Sequence, residues 1–275
     1  MLTSITPFGQ DGPYAGLDGD DLIASALGGL LYLGGYADGE PIRPAGEQAV
    51  LAAGLFGAVA AMLALTHAEL TGQGQHVDVS MMEAVVLGLE NAPQLYDLEG
   101  VVRHRNGGVQ RLAGTGVFAC ADGLVCLLAT GFGGTQHWTK LVAWLEAETG
   151  TGLGRFRDPR WSRIDFLVTE AAKAEFSAFF ADFCATRAQR DLYHRAQSWR
   201  VPLCPVSAPR DVLSDAQLAF RSYFAEVTRA DGSVLTMPGA PYRLSRTPWS
   251  IRRPAPRLGE HSREVLAEMT AGDAS

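Results

Sequence analysis

The first stretch of the chain pairs a loop with a helix. Gly, Pro and Asp are concentrated at residues 6–19, a composition typical of loops because Gly permits positive φ and Pro restricts φ. The apolar spacing that follows predicts a helix over residues 22–34, with Asp20 or Asp21 as its N-terminal cap.

The next apolar run is the longest uncharged stretch. Residues 49–65 carry no charge and are rich in Ala and Gly. They predict a long buried helix over residues 48–70 rather than a membrane span, for which the run is at the short limit. Polar and apolar residues alternate at 76–80, which predicts a strand, and helical spacing resumes from Met81. This order indicates part of an α/β layer, and because a lone strand is unstable, the sheet needs strands from elsewhere.

From Gly114 the pattern changes to short apolar runs and turns. Two runs flank Ala121-Asp122-Gly123, which predicts a hairpin, and a second hairpin is predicted over residues 224–235. Helical spacing lies between them at residues 136–145, 165–183 and 188–197. The chain is therefore predicted to have an α/β fold in three parts: the remainder of a large α/β domain at 1–113, a small α+β domain at 114–250, and a C-terminal segment at 251–275 that returns to the large domain.

Charge narrows the partners that the chain is expected to bind. It has 275 residues, with 30 Asp and Glu against 23 Lys and Arg, and a formal net charge of −7. A general nucleic-acid binder needs a basic surface, so no nucleic-acid partner is expected. The basic stretch near the C-terminus is local, and it is interpreted as a solvated tail or a dimer contact. Its arginines are Arg243, Arg246, Arg252, Arg253 and Arg257.

The cysteines and the N-terminus point to the cytoplasm. Four cysteines lack CxxC spacing, so neither a disulfide scaffold nor a zinc ribbon is indicated, and buried free thiols are expected. These cysteines are Cys120, Cys126, Cys184 and Cys204. The first residues lack a basic segment followed by an apolar one, so no signal peptide and no membrane partner are expected.

Four segments together resemble the family III CoA-transferases of the formyl-CoA transferase type, whose fold alpha-methylacyl-CoA racemase shares. The segments are ITPFGQDGPYAGLD at 5–18, LTGQGQHVDVSMMEAV at 70–85, RVPLCPV at 200–206 and PRLGEHSREVL at 256–266. For a full-length chain, the resemblance implies an interlocked dimer with the active site between large and small domains. It covers about the last two thirds of a family member. Either the chain is a short subunit that pairs with a longer partner, or its true start lies upstream.

The resemblance also implies a nucleophile. In these transferases a carboxylate attacks the acyl-CoA thioester and passes CoA to an acceptor acid. That Asp stands four residues before a Gly, which is Gly54 here, so its position is occupied by Val50. Glu47 lies three residues upstream, and it is either a helix N-terminal acid or a displaced nucleophile.

Other candidate residues carry less chemistry. Gly9, Gln10, Tyr14 and Arg43 are candidate contacts to the CoA thioester, which is a substrate; no tightly bound cofactor and no metal are expected. Arg43, Arg103 and Arg105 are either carboxylate-binding or surface groups. The glycine loops at 106–108 and 131–134 are either lids or ordinary loops, and Glu260-His261 is interpreted as a structural pair. Without GxGxxG or P-loop motifs, NAD and ATP are not expected.

Several functions therefore remain open. The chain is a transferase that uses Glu47 or a partner's Asp, a non-catalytic subunit of a heteromer, or a degenerate paralogue. A racemase-like isomerase needs a His and Asp pair, whose positions fall near Asp20 and at Val50, and Asp20 and Asp21 are interpreted as caps or surface acids. A homodimer or a heteromer with a full-length family member is expected.

Overall fold

The computed structural model describes residues 1–89, 91–108, 110–130, 135–229 and 231–272. The strands are β1 (Leu2–Thr6), β2 (His76–Ser80), β3 (Thr115–Ala119), β4 (Leu124–Leu128), β5 (Leu203–Pro205), β6 (Phe224–Thr228) and β7 (Val234–Pro238). The helices are α1 (Asp21–Leu27), α2 (Leu30–Leu33), α3 (Gln48–Thr71), α4 (Met81–Leu87), α5 (Ala92–Glu99), α6 (Thr135–Thr149), α7 (Ile164–Leu167), α8 (Glu170–Ala185), α9 (Gln189–Ser198), α10 (Pro209–Leu213), α11 (Ala216–Phe220) and α12 (Ser262–Gly272).

Contacts group the chain into two units. The first comprises Met1–Gly116 and Leu127–Phe180, and the second comprises Val117–Cys126 and the chain from Ala181 onward. Residues 127–180 therefore group with the first unit, and the described residues after 250 group with the second. The three-part domain assignment and the interlocked dimer stay predictions.

In the first unit, α3 packs on a small parallel sheet. β1 and β2 pair in register from Leu2 with His76 to Thr6 with Ser80. Gly57 faces β1 so closely that a Cβ there would lie 2.8 Å from Ile5 Cδ1. The predicted helix and strand are thus confirmed, and small residues let helix and sheet approach each other.

The predicted burial of α3 is wrong for this chain. Its buried residues are Ala49, Ala53, Gly57 and Ala64, which form one stripe of small residues. The large apolar side chains point elsewhere: Leu51, Leu55 and Leu63 are 64%, 65% and 67% exposed. Only 22% of the most apolar stretch is buried, and by length and composition alone the helix could cross a membrane.

The predicted helix over 22–34 is broken in two. Asp20 caps α1, accepting a hydrogen bond from Ile23 N at 3.0 Å. Gly29 then adopts φ +86°, which favours glycine, and separates α1 from α2. A Cβ at Gly28 would lie 2.6 Å from Val85 Cγ1, so the break is also a point of close packing against α4.

An aromatic cluster forms the core of the remaining part of the first unit. Trp138 and Trp161 stack with ring centroids 4.9 Å apart and planes 7° apart. Phe156 meets Trp161 edge to face at 5.0 Å, and its carbonyl accepts a hydrogen bond from Trp138 Nε1 at 2.9 Å. Phe176 completes the cluster, with its centroid 5.3 Å from that of Trp138. Such pairs add to the free energy gained by burial.

Both predicted hairpins are present. β3, β4 and β5 form a three-stranded sheet in that order, and Cys120 N donates to Gly123 O at 2.8 Å across the first turn. β6 and β7 are antiparallel, with Phe224 opposite Pro238 and Thr228 opposite Val234. Gly232, in the second turn, has φ +84°.

The prediction of buried thiols holds for one of the four cysteines. All four are free, but Cys184 alone is buried; Cys120 and Cys126 are half-buried and Cys204 is exposed. Burial raises the pKa of Cys184 to about 12, because a thiolate is poorly solvated in an apolar environment.

The Glu146 carboxylate holds the turn after α6. It accepts hydrogen bonds from the Arg157 guanidinium and, at 2.9 Å, from Leu153 N. The Arg157 hydrogen bond is the main cause that lowers the pKa of Glu146 to about 2. The carboxylate therefore stabilises the folded state above its ordinary pKa, and this contribution is lost as the pH falls from there toward about 2.

We therefore expect Glu146→Gln to lower the melting temperature near neutral pH, with the gap to wild type narrowing between about pH 5 and about pH 3. Thermal unfolding followed by circular dichroism at each pH measures this gap. Glu99→Gln, which removes an exposed carboxyl group, is the control. A gap that stays constant or widens on acidification would contradict the assignment.

Candidate functional site

The start of α3 is held by a carboxylate from another helix. Asp21 Oδ1 accepts hydrogen bonds from Ala49 N at 2.8 Å and from Val50 N at 3.2 Å. These first-turn amides have no partner within the helix, and the N-cap residue Glu47 gives no side-chain cap. Asp21 therefore caps α3 although it belongs to α1.

Asp21 is also paired with a cation. Arg43 Nη2 lies 3.1 Å from Asp21 Oδ2, and Asp21 is only 6% exposed. The Arg43 side chain is half-exposed, so the pair lies at the boundary between protein and solvent. Both carboxylate oxygens are thus used by protein donors, and the positive end of the helix dipole adds a further favourable interaction.

Val50 and Glu47 occupy this capped helix start. Val50 is 42% exposed, and its N–H is directed to Asp21. Glu47 is exposed, and its side chain makes no cap hydrogen bond. Three side chains therefore lie at the first turn of α3. Val50 is exposed and apolar, the Asp21 carboxylate is buried and already hydrogen-bonded, and the Glu47 carboxylate is exposed.

The loop after β1 is fixed by Asp78 of β2. Gln10 N donates to Asp78 Oδ2 at 2.8 Å, and Gly9 N donates to Thr6 Oγ1 at 2.9 Å. Gly9 has φ +92°, and a Cβ there would lie 3.5 Å from Asp78 Oδ2. The backbone amides of Gly9 and Gln10 therefore already have partners within the chain. Any contact that these two residues make with a CoA thioester must use their other atoms.

Tyr14 and Arg43 complete the predicted set of CoA contacts. The Tyr14 ring is partly exposed and meets Phe8 edge to face at 5.7 Å. Arg43 pairs with Asp21, the residue that caps α3. The role of these residues as substrate contacts stays a prediction.

A second cluster ties the glycine loop at 106–108 to α2 and the turn that follows. Tyr32 Oη lies 3.0 Å from His104 Nδ1, and Arg105 donates to Gly39 O at 2.7 Å and to Tyr36 O at 3.1 Å. Gly107 has φ +58° and packs on Tyr36, where a Cβ would come within 2.3 Å of the ring. Arg105 thus holds the turn after α2. In the loop at 106–108, Gly107 is packed against Tyr36, whereas Gly108 is exposed.

The remaining candidate residues form no catalytic or metal-binding arrangement within the part of the chain that the structure describes. Glu260 accepts a hydrogen bond from Arg257 N at 2.6 Å, which is a structural contact. The glycine loop at 131–134 lies outside the described residues. Among the residues that the structure describes, no group of three His, Cys, Asp or Glu is placed to hold a metal ion.

Sequence reasoning missed the cross-helix role of Asp21. The sequence predicts Asp20 and Asp21 as alternatives for one cap, whereas in the structure Asp20 caps α1 and Asp21 caps α3. Two adjacent acids before a helix, followed by a lone arginine before the next helix, were the available signal. Only the tertiary structure shows that the second acid turns toward α3.

Comparison with known proteins identifies the family. The model of CoA-transferase family III matches residues 1–262. The chain belongs to CoA-transferase family III. The resemblance seen in the four sequence segments is thus confirmed, and with it the family III fold.

Two relatives are themselves named as subunits. The chain is 39% identical over 270 residues to the succinyl-CoA:(R)-benzylsuccinate CoA-transferase subunit BbsE of Thauera aromatica. It is 30% identical over 281 residues to the beta subunit of the succinyl-CoA–L-malate CoA-transferase of Chloroflexus aurantiacus. Each alignment covers 98% of this chain and 65% of the relative, so the chain spans just under two thirds of each relative's length.

A solved family III structure has the same fold. The crystal structure of a CAIB/BAIF family protein from Brucella suis matches with a TM-score of 0.77 and 25% sequence identity. The match covers 97% of this chain and 67% of that one. The arrangement of elements around the start of α3 therefore belongs to a fold that the family shares.

We expect Asp21→Ala to lower the free energy of unfolding of this family III chain by about 2 kcal/mol, because the amides of Ala49 and Val50 lose their acceptor and Arg43 loses its partner. Asp21→Asn keeps an acceptor oxygen and should cost about half as much. Urea unfolding followed by circular dichroism measures both losses. Asp18→Ala, at a nearby exposed acid, is the control, and an equal effect at Asp18 would refute the cap.

Proposed function

We propose that this chain is a subunit of a CoA-transferase that moves CoA from an acyl-CoA thioester to a carboxylic acid. We further propose that another chain supplies the nucleophilic carboxylate. Family membership supports the transferase assignment, and the subunit names of the two relatives support a heteromer.

The observation that carries the proposal is the chemistry of the first turn of α3. Covalent transfer requires a carboxylate that attacks the thioester carbonyl, so that an acyl-carboxylate anhydride forms and the CoA thiolate leaves. Val50, at the position where the resemblance places that carboxylate, has none. The adjacent acid Asp21 is buried, and its two oxygens accept from Ala49, Val50 and Arg43. Neither residue can therefore start the reaction.

The exposed face of α3 supports a partner chain. Leu51, Leu55 and Leu63 present large apolar side chains to solvent on a helix whose opposite stripe is packed. Contiguous exposed apolar surface is typical of interfaces, and more so of permanent ones. The small sheet of β1 and β2 also gains from further strands, since two strands alone are marginally stable.

We propose succinyl-CoA as the donor and a dicarboxylic acid as the acceptor. Both relatives are named for succinyl-CoA, and their acceptors, benzylsuccinate and L-malate, are dicarboxylic acids. In this proposal the CoA thioester is a substrate that enters and leaves, so the chain needs no tightly bound cofactor. A second carboxylate on the acceptor requires a cationic group, and Arg43 at the edge of the site is half-exposed.

A second candidate function gives the nucleophile to this chain. Glu47 is exposed at the start of α3, and its side chain forms no cap. A carboxylate at a helix N-terminus lies near the positive end of the helix dipole, which would stabilise a developing oxyanion. Under this alternative the chain would turn over without a partner's Asp.

The two functions differ in where a covalent adduct forms. The purified chain is incubated with succinyl-CoA, alone or mixed with a family III chain that carries the Asp, and hydroxylamine converts any anhydride or glutamyl or aspartyl thioester to a hydroxamate. We expect no hydroxamate on this chain in either sample, because Val50 cannot attack, and a hydroxamate on the Asp of the partner. Peptide mass spectrometry locates the modification.

Two variants of this chain distinguish the two candidate functions. Val50→Asp should create a hydroxamate at residue 50, which would support its position opposite the thioester. A hydroxamate at Glu47 of the wild-type chain that disappears in Glu47→Gln would overturn the non-catalytic role and establish the second candidate.

A further inference from the structure

A cleft in the second unit lies within residues 221–249. It encloses about 390 Å³, within the range of small-molecule sites. Its lining combines cationic and aromatic side chains with one closely packed glycine: Arg221, Tyr223, Gly239, Tyr242, Arg243 and Trp249. No residue of the α3 site contributes to it.

The open end of the β6–β7 hairpin forms one side of the cleft. Beyond the last strand pair, Gly239 N donates to Tyr223 O at 2.9 Å, which extends the hairpin by one step. α11 ends just before, where Ser222 adopts φ +49° and Tyr223 N donates to Leu218 O at 3.0 Å. This left-handed conformation is unusual for a residue other than glycine. It lies between Arg221 and Tyr223, which both line the cleft.

Gly239 brings an indole close to the backbone. A Cβ at this position would lie 2.5 Å from Tyr223 O and 3.2 Å from Trp249 Cζ3. The Trp249 ring therefore lies against the hairpin end, yet it is 44% exposed, and the Tyr242 ring is more exposed still. Two large aromatic faces are thus available to a ligand in the cleft.

The cleft is strongly cationic in an acidic chain. Residues 232–259 contain five arginines and no Asp or Glu, whereas the whole chain has a net charge of −7. Within the described part of the chain, neither Arg221 nor Arg243 has an ion-pair partner. Two guanidinium groups that have no carboxylate are suited to a phosphate, which they can bind through paired hydrogen bonds.

We propose that this cleft binds a nucleoside phosphate, with the base against Trp249 and Tyr242 and the phosphates on Arg221 and Arg243. A simple anion would leave the exposed rings unused, and an apolar ligand would leave the two guanidinium groups unpaired. The site recognises its ligand through side chains, since the chain has no P-loop motif. It stands independently of the transferase role of the α3 site.

Calorimetric titration of the full chain with ADP, adenosine and pyrophosphate tests the proposal. We expect ADP to bind at least about tenfold more tightly than either fragment, because it alone engages both the rings and the arginines. Titration with CoA distinguishes the source of the ligand. CoA binding that is tighter than ADP binding and that Trp249→Leu weakens assigns the cleft to the nucleotide portion of CoA. CoA binding that Trp249→Leu leaves unchanged assigns the cleft to a free nucleotide.

Matched variants separate the cleft from general charge attraction. Arg243→Gln and Trp249→Leu should each weaken ADP binding about tenfold. Arg252→Gln, in the same cationic stretch but outside the lining, should change it less than about twofold. Arg221→Gln serves as a second cleft variant should Arg243→Gln fail to fold by circular dichroism. No ADP binding at millimolar concentration, equal binding of pyrophosphate and ADP, or an equal loss in Arg252→Gln would overturn the proposal.

Discussion

The structure around the candidate site depends on one buried carboxylate. Asp21 joins α1 to the start of α3 by accepting from two amides that the helix itself cannot satisfy, and Arg43 balances its charge. Because a buried acceptor without donors is costly, this arrangement determines where the first turn of α3 lies and how Val50 and Glu47 are presented. An acid next to Val50, the position that the resemblance assigns to the nucleophile, is thus used to hold the backbone.

The two faces of the same helix differ in how well this chain covers them. Its stripe of Ala and Gly packs on β1 and β2, and its large apolar residues face away. The small face stabilises the chain itself, whereas the large face gains free energy only when another surface covers it. Both faces fit the proposed function, in which this subunit supports the site and contributes an interface while another chain supplies the nucleophile.

Local pattern was enough to predict most elements of the fold. The uncharged run predicted α3 almost to the residue, the alternation at 76–80 predicted β2, and the turn residues predicted both hairpins. The four quoted segments were enough to identify the family, since they occur in one order along the chain. These features depend on residues close in sequence, which is where periodicity and turn chemistry act.

The features that failed or were missed depend on contacts between distant residues. The exposure of Leu55 depends on which other elements pack on α3, and the sequence of α3 alone does not contain that information. The cap by Asp21 joins residues 28 and 29 positions apart, and the cleft is lined by both Arg221 and Arg243, which precede and follow a hairpin. The break between α1 and α2 inside an apolar run coincides with close packing of Gly28 on Val85 of α4, a contact that helical spacing does not reveal.

Amide hydrogen exchange at the start of α3 tests the account most directly. The account predicts slow exchange at Ala49 and Val50 in the wild-type chain, and exchange at least about tenfold faster in Asp21→Ala. Leu51, whose amide donates to Glu47 O at 3.0 Å within the chain segment itself, should change much less. Equal exchange rates at Ala49 and Val50 in the two proteins would contradict the claim that Asp21 holds this helix.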